Sequence, residues 1–312
     1  MSSPDPAPSV PRTGIDVVVG WNDTPAAIAA AEWAADRQEA GGRLHLVRVL
    51  TARRAADRVA LAAAHTALDE QLTLLRRHHP TVAVSGSIEF GHPSAVLARE
   101  SFGALLVVGT RVRTGPIHGL AGASAIGIVA AVPAPVLVVP DLLAGDEGGS
   151  VIVGVDGSAA GIQAALLAAA EAQRVSRALH IVHAWWDLPD WGTLVPFQPA
   201  AVDSLRAAHR VVLDETADLV SARFPAVRVF RALVHAPTLD ALVDAARHGS
   251  LLVLGRHSRV VGLSALLGST TRAVLLRTVV PTLVAAEVEQ VADTARAAVP
   301  APAAAALVAP SG

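Results

Sequence analysis

The chain has 312 residues, a formal net charge of −2, one methionine and no cysteine. Lack of cysteine rules out disulfide frameworks, thiolate nucleophiles and Cys-ligated metal sites. All 25 basic residues are arginine, which excludes Schiff-base chemistry, the lysine-bearing phosphate loop and the lysine-dependent kinase signature.

The near-neutral charge argues against a nucleic-acid partner, and no unbroken apolar run reaches the roughly 18 residues that cross a bilayer. Residues 1–13 are rich in Pro and Ser and lack a basic head followed by an apolar stretch. They read as a disordered tail rather than a signal peptide, and the protein is expected to be cytoplasmic, with no membrane contact.

Along the chain the sequence repeats itself. Ile15-Asp16-Val17-Val18-Val19-Gly20 is answered by Val151-Ile152-Val153-Gly154-Val155-Asp156, with Gly20 and Gly154 standing 134 positions apart. Ala104-Leu105-Leu106-Val107-Val108-Gly109 is answered by Ser250-Leu251-Leu252-Val253-Leu254-Gly255, and Gly122 by Gly268, at a spacing of 146. The extra residues of the second half fall around Trp186 to Ala200. The organisation is a tandem duplication: residues 14–140, a Gly- and Asp-rich linker at 141–150, residues 151–286, and a second disordered tail at 287–312.

In each half, short β-branched runs alternate with longer Ala-rich stretches. The second half predicts strands at Val151–Val155, Ala178–Ala184, Val227–Val234, Leu251–Leu254 and Thr282–Ala285. Helices are predicted at Ala159–Val175, Ala201–Arg223, Thr238–Arg247 and Ser269–Thr278. Strands that are apolar throughout indicate a parallel sheet covered on both faces, hence an open α/β sheet with right-handed crossovers. Such sheets bind ligands beyond the carboxyl ends of their strands, so the first and fourth strand ends are where chemistry is sought.

Gly154-Val155-Asp156-Gly157-Ser158 follows the first strand of the second half. Asp156 or Ser158 there suits helix capping as well as a ligand. Gly255-Arg256-His257-Ser258 follows the fourth strand, and nine residues later Gly268-Ser269-Thr270-Thr271 opens a helix. Glycines allow close backbone approach, and free N–H groups at a helix start favour an anion. The hydroxyls suit phosphate oxygens or the helix cap equally.

This pairing of motifs resembles the universal stress protein family in its tandem two-domain form, over residues 14–140 and 150–286. The family pattern is Val-Asp-Gly-Ser at the first strand, then Gly, two residues, Gly, nine residues, and Gly followed by Ser or Thr. The second half has Ser258 at the middle glycine. The closing segments Pro133–Val139 and Val280–Val284 resemble the family's fifth strand.

The resemblance implies two five-stranded Rossmann-like domains packed as a pseudo-dimer, with ATP and Mg2+ bound at the strand ends. Asp156 and Ala184 would lie against ribose and adenine, beside Gly154. Gly255, Arg256, Ser258 and Gly268 would line the triphosphate, and Ser269, Thr270 and Thr271 would donate to it. In the first half the matching positions are Gly20, Asn22, Val49, Gly109, Gly122 and Ser124. There Asn22 replaces the aspartate, Val112 the middle glycine and Ala123 the hydroxyl, which predicts a weak or silent site.

The functional readings are an ATP-binding regulatory stress protein, a nucleotide-free interaction scaffold, or a slow ATP hydrolase. No hydrolytic constellation is evident, and a homodimer or regulatory protein partner fits the first two. Among twelve histidines, His180 and His183 point to opposite faces of a strand and cannot share a metal, so no metal site is expected from protein side chains. Trp185, Trp186 and Trp191 read as a small satellite core rather than a lid or partner surface.

Overall fold

The computed structural model describes residues 17–111, 123–141, 149–186, 199–256, 258–261 and 264–286. Both expected tails, most of the linker, and Val112, Gly122, Trp191 and His257 lie outside the described residues. The first half runs β1 (Val17–Gly20), α1 (Pro25–Asp36), β2 (Arg43–Leu50), α2 (Ala52–Ala55), α3 (Arg58–His78) and β3 (Ala83–Phe90). It continues with α4 (Pro93–Glu100), β4 (Leu105–Thr110), α5 (Ala123–Ala131) and β5 (Val136–Pro140).

The second half repeats this order: β6 (Ser150–Gly154), α6 (Ala159–Arg174), β7 (Leu179–Trp185), α7 (Pro199–Arg223), β8 (Val229–His235), α8 (Thr238–Ala246) and β9 (Gly249–Leu254). A hairpin of β10 (Ser258–Val261) and β11 (Ser264–Leu267) comes next, before α9 (Ser269–Arg277) and β12 (Thr282–Val284). Apart from that hairpin, the predicted strands and helices of the second half stand where the sequence puts them.

Ten strands form one sheet in the order β3-β2-β1-β4-β5-β12-β9-β6-β7-β8. Each half is parallel throughout, and the two join where β5 and β12 pair antiparallel. Leu137 faces Leu283 in that ladder, flanked by Val138 against Thr282 and Val136 against Val284. Leu137 and Leu283 are 146 positions apart, the spacing of the repeat. A pseudo-twofold axis therefore passes between them.

The helices α1 and α6 contribute to one buried cluster on the same face of the sheet. Ala26, Ala27, Ala30, Ala31, Ala34 and Ala35 are buried in α1, and Ala164, Ala165, Ala168, Ala169 and Ala172 in α6. Alanine has the highest helix propensity and lets a helix backbone approach the sheet closely. Thr24 caps α1 by accepting from Ala27 N at 3.3 Å, and Ser158 caps α6 by accepting from Gly161 N at 3.0 Å. Such caps contribute about 1 kcal/mol each.

On this face one buried cluster runs through both halves, from Leu46 and Leu72 through Ala31 and Ala165 to Ile181 and Leu213. On the other face, Val96, Leu106 and Val129 of the first half pack with Leu275 and Val284 of the second. Burying a Leu or Val side chain stabilises by about 1.5–3 kcal/mol, so these shared clusters bind the halves into one body.

Candidate functional site

Because β6 lies between β9 and β7, the turn after β6 meets the ends of both neighbours. Gly154 packs its α-carbon on Leu242, where a Cβ would come within 2.8 Å of Cδ2. Gly157 has φ +80 and sits beneath Val212 of α7. Asp156 is exposed, and its Oδ1 accepts from Ser158 N at 3.0 Å and Ser158 Oγ at 2.6 Å. Capping is thus part of what this pair does, with Ser158 as the cap and Asp156 orienting it.

At the end of β9, Gly255 meets the first turn of α6. A Cβ there would lie 2.8 Å from Ala160 O, so the glycine is demanded by packing. Thr271 is buried and donates to Gly255 O at 3.3 Å, tying α9 to the strand end. Ser269 and Thr270 are exposed on the first turn of α9, behind the N-cap Gly268, which has no side-chain cap. Ser258 stands in the extended backbone of β10, paired with Leu267, a conformation open to residues with a Cβ. Ala184, the penultimate residue of β7, is partly buried.

Arg256 departs from the sequence reading. Its side chain is buried, with Nε donating to Ala285 O at 3.3 Å, Nη2 to Ala134 O at 3.2 Å and Nη1 to Val132 O. Two of those carbonyls belong to the first half. The guanidinium points into the junction between the halves and not along a triphosphate.

A histidine chain that the sequence did not flag runs beside the same turn. His183 Nδ1 lies 2.7 Å from Val155 O, which can only accept, so His183 donates from Nδ1 and accepts at Nε2 from His209 Nδ1 at 2.9 Å. Trp185 stacks on His209 and on His235, with centroids 5.3 and 4.2 Å apart, and Trp186 leans on His235. Desolvation and the neighbouring His183 lower the His209 pKa below the ordinary imidazole value. His209 lies on α7, 26 positions beyond His183, so no local pattern links them. His180 instead packs on Phe230, and among the described residues no group of three or more His, Cys, Asp or Glu could hold a metal.

The first half places Trp21 and Arg48 where the second has Val155 and His183. Trp21 is 3% exposed, and the Arg48 guanidinium lies over its ring at 5.4 Å and bonds Asp23 Oδ2 at 3.2 Å. Trp21 Nε1 and Arg48 Nη1 are buried with no hydrogen-bond partner among the described residues. Asn22 is exposed and accepts from Thr24 Oγ1 at 2.8 Å, and Val49 is partly buried. Gly20 packs against Leu97, and a Cβ on Gly109 would lie 2.2 Å from Ala26 O. Ser124 falls in the first turn of α5.

This architecture defines a tandem, pseudo-twofold open α/β protein whose two parallel half-sheets join at β5 and β12. A model of the universal stress protein family matches residues 16–140 and 149–286, and the chain belongs to that family. A universal stress protein of Mycobacterium tuberculosis is 28% identical over 208 residues, 65% of this chain and 69% of the relative.

Among solved structures, a universal stress protein from Archaeoglobus fulgidus superposes with a TM-score of 0.65 at 16% identity, over 88% of this chain and 99% of that one. The cytoplasmic domain of a prokaryotic cation chloride cotransporter also superposes, with a TM-score of 0.51 at 12% identity, over 88% and 95%. That breadth shows the fold to be shared by proteins of different function. Among the described residues, no helix is long and apolar enough to cross a membrane.

Proposed function

We propose that the protein is a cytoplasmic, nucleotide-dependent regulatory protein whose second half binds ATP at the ends of β6 and β9. The supporting observation is the first turn of α9, where Ser269 and Thr270 are exposed behind Gly268 and which Thr271 ties to Gly255, the strand-end glycine packed on the first turn of α6 after Asp156. Helix N-termini present free N–H groups and a positive dipole end to phosphate. Ser269 and Thr270 supply hydroxyl donors, and Asp156 supplies an acceptor for ribose hydroxyls. A magnesium ion would enter on the phosphates, keeping most of its waters, since such sites use few protein ligands. In the first half, Asn22 stands for Asp156 and Ala123 for Ser269, while Trp21 and Arg48 replace Val155 and His183, which supports a silent site there.

Isothermal titration of nucleotide-stripped protein with Mg-ATP tests this reading. One site per chain, lost in Gly268→Val and weakened in Asp156→Ala, is the expected result. Absence of heat up to about millimolar ATP, a free energy weaker than about −4.1 kcal/mol, favours a nucleotide-free scaffold that acts on a protein partner.

A further inference from the structure

Arg256 follows the glycine that ends β9, yet its guanidinium donates to Val132 O and Ala134 O of the first half and to Ala285 O beyond β12. Val132 and Ala134 lie in the α5–β5 junction. Leu267, at the other end of the same connection, packs on the cluster that Val96 and Val129 share with Leu275 and Val284, and β11 lies against α5 of the first half. The α9 turn is in turn fastened to the strand end through Thr271 and Gly255. Both ends of the segment between β9 and α9 are therefore seated on the other half of the chain.

In the first half, the residue matching Arg256 is Thr110, 146 positions earlier. A threonine is too short to reproduce a fork to three carbonyls. The second half's candidate phosphate end is thus held by the first half through a side chain whose counterpart, Thr110, cannot form the same fork.

We infer that the first half is a structural component of the second half's ligand site, and that Arg256 is the positioning residue that links ligand occupancy to the packing of the halves. This rests on the ATP reading above. A ligand held at Gly268–Thr270 fixes α9, α9 fixes Gly255 through Thr271, and the next residue is anchored in the α5–β5 junction. By linkage, whatever loosens the junction weakens binding, and binding tightens the junction by the same factor.

The test uses the full chain with methyl-labelled valine and leucine, titrated with Mg-ATP. In the wild-type protein the Val132 and Val136 methyl signals of the first half are expected to shift together with Leu275 of α9, at one common dissociation constant. Arg256→Met is expected to weaken binding about tenfold and to abolish the first-half shifts. Arg256→Lys keeps the charge without the fork and is expected to behave like Arg256→Met, whereas a direct phosphate contact would be largely restored by lysine.

Binding with shifts confined to the second half overturns the inference even if the Arg256 variants fail to fold. So does wild-type affinity in Arg256→Met. Absence of binding in the wild-type protein overturns the ATP reading and the inference with it, and that outcome is read before any variant is made.

Discussion

Arg37 and Glu171 occupy the same place in the two repeats, 134 positions apart, and meet each other as an ion pair between α1 and α6. Glu171 also pairs with Arg174 at 2.8 Å, and Arg174 Nη1 donates to Arg37 O at 3.3 Å. At a true twofold axis each residue would face its own copy, and two arginines or two glutamates would repel. Duplication within one chain has allowed the two copies to take opposite charge.

Glu171→Arg sets two cations and Arg174 together in a mostly buried site. We expect it to destabilise the chain by about 3–5 kcal/mol, the cost of a broken buried pair. The exchange Arg37→Glu with Glu171→Arg should recover part of that loss, though Arg174 then faces a displaced carboxylate. Denaturant midpoints of the three variants measure the coupling.

The same contact predicts acid sensitivity. Burial raises the Glu171 carboxyl, but the hydrogen bond and charge of Arg174 and the charge of Arg37 outweigh it and hold the pKa at about 2. A folded pKa below the unfolded value of about 4.5 gives stability that is complete above pH 5. It is lost as pH falls toward 2, by roughly 3 kcal/mol at most. Glu171→Gln should be less stable at pH 7 and should flatten that part of the stability profile.

His209 carries a milder dependence of the same sign. Its lowered pKa means that protonation favours the unfolded chain, so this contribution is present above about pH 6.5 and declines as pH falls through the folded value. Imidazole NMR titration should find His209 protonating below the ordinary range. His209→Phe leaves Nε2 of His183 without its donor and should cost about 1–3 kcal/mol, seen together with a change in Trp185 fluorescence.

Glycine substitutions separate packing from ligand roles. Gly109→Ala drives a Cβ to 2.2 Å from Ala26 O and should cost upwards of 2 kcal/mol. Gly255→Ala, at 2.8 Å from Ala160 O, should cost less. Gly127, exposed in α5 with nothing within 4 Å, is the control, and Gly127→Ala should stabilise by about 0.5–1 kcal/mol. Thermal unfolding of the apo protein ranks the three.

The duplication, the strand and helix order and the family were legible in the sequence, because apolar periodicity and glycine spacing are local signals. Gly255 and Gly109 were legible as special positions, but their reason was not: the backbone they make room for lies 95 and 83 residues earlier. In the sequence Asp156 and Ser158 suit a cap or a ligand equally, and the hydrogen bonds of the cap emerge only in the fold.

Arg256 is the sharpest case. Beside a strand-end glycine it reads as a phosphate-facing cation, whereas in the fold its guanidinium serves carbonyls more than 120 residues away. The partnership of His183 with His209, and of Arg37 with Glu171, was hidden for the same reason. Sequence by itself determined the strands of the main sheet and the helices between them, though not the β10–β11 hairpin, since backbone propensity and side-chain alternation act over a few residues. Only the tertiary structure decided which long polar side chains face solvent, ligand or each other, since that depends on what packing brings within 3 Å.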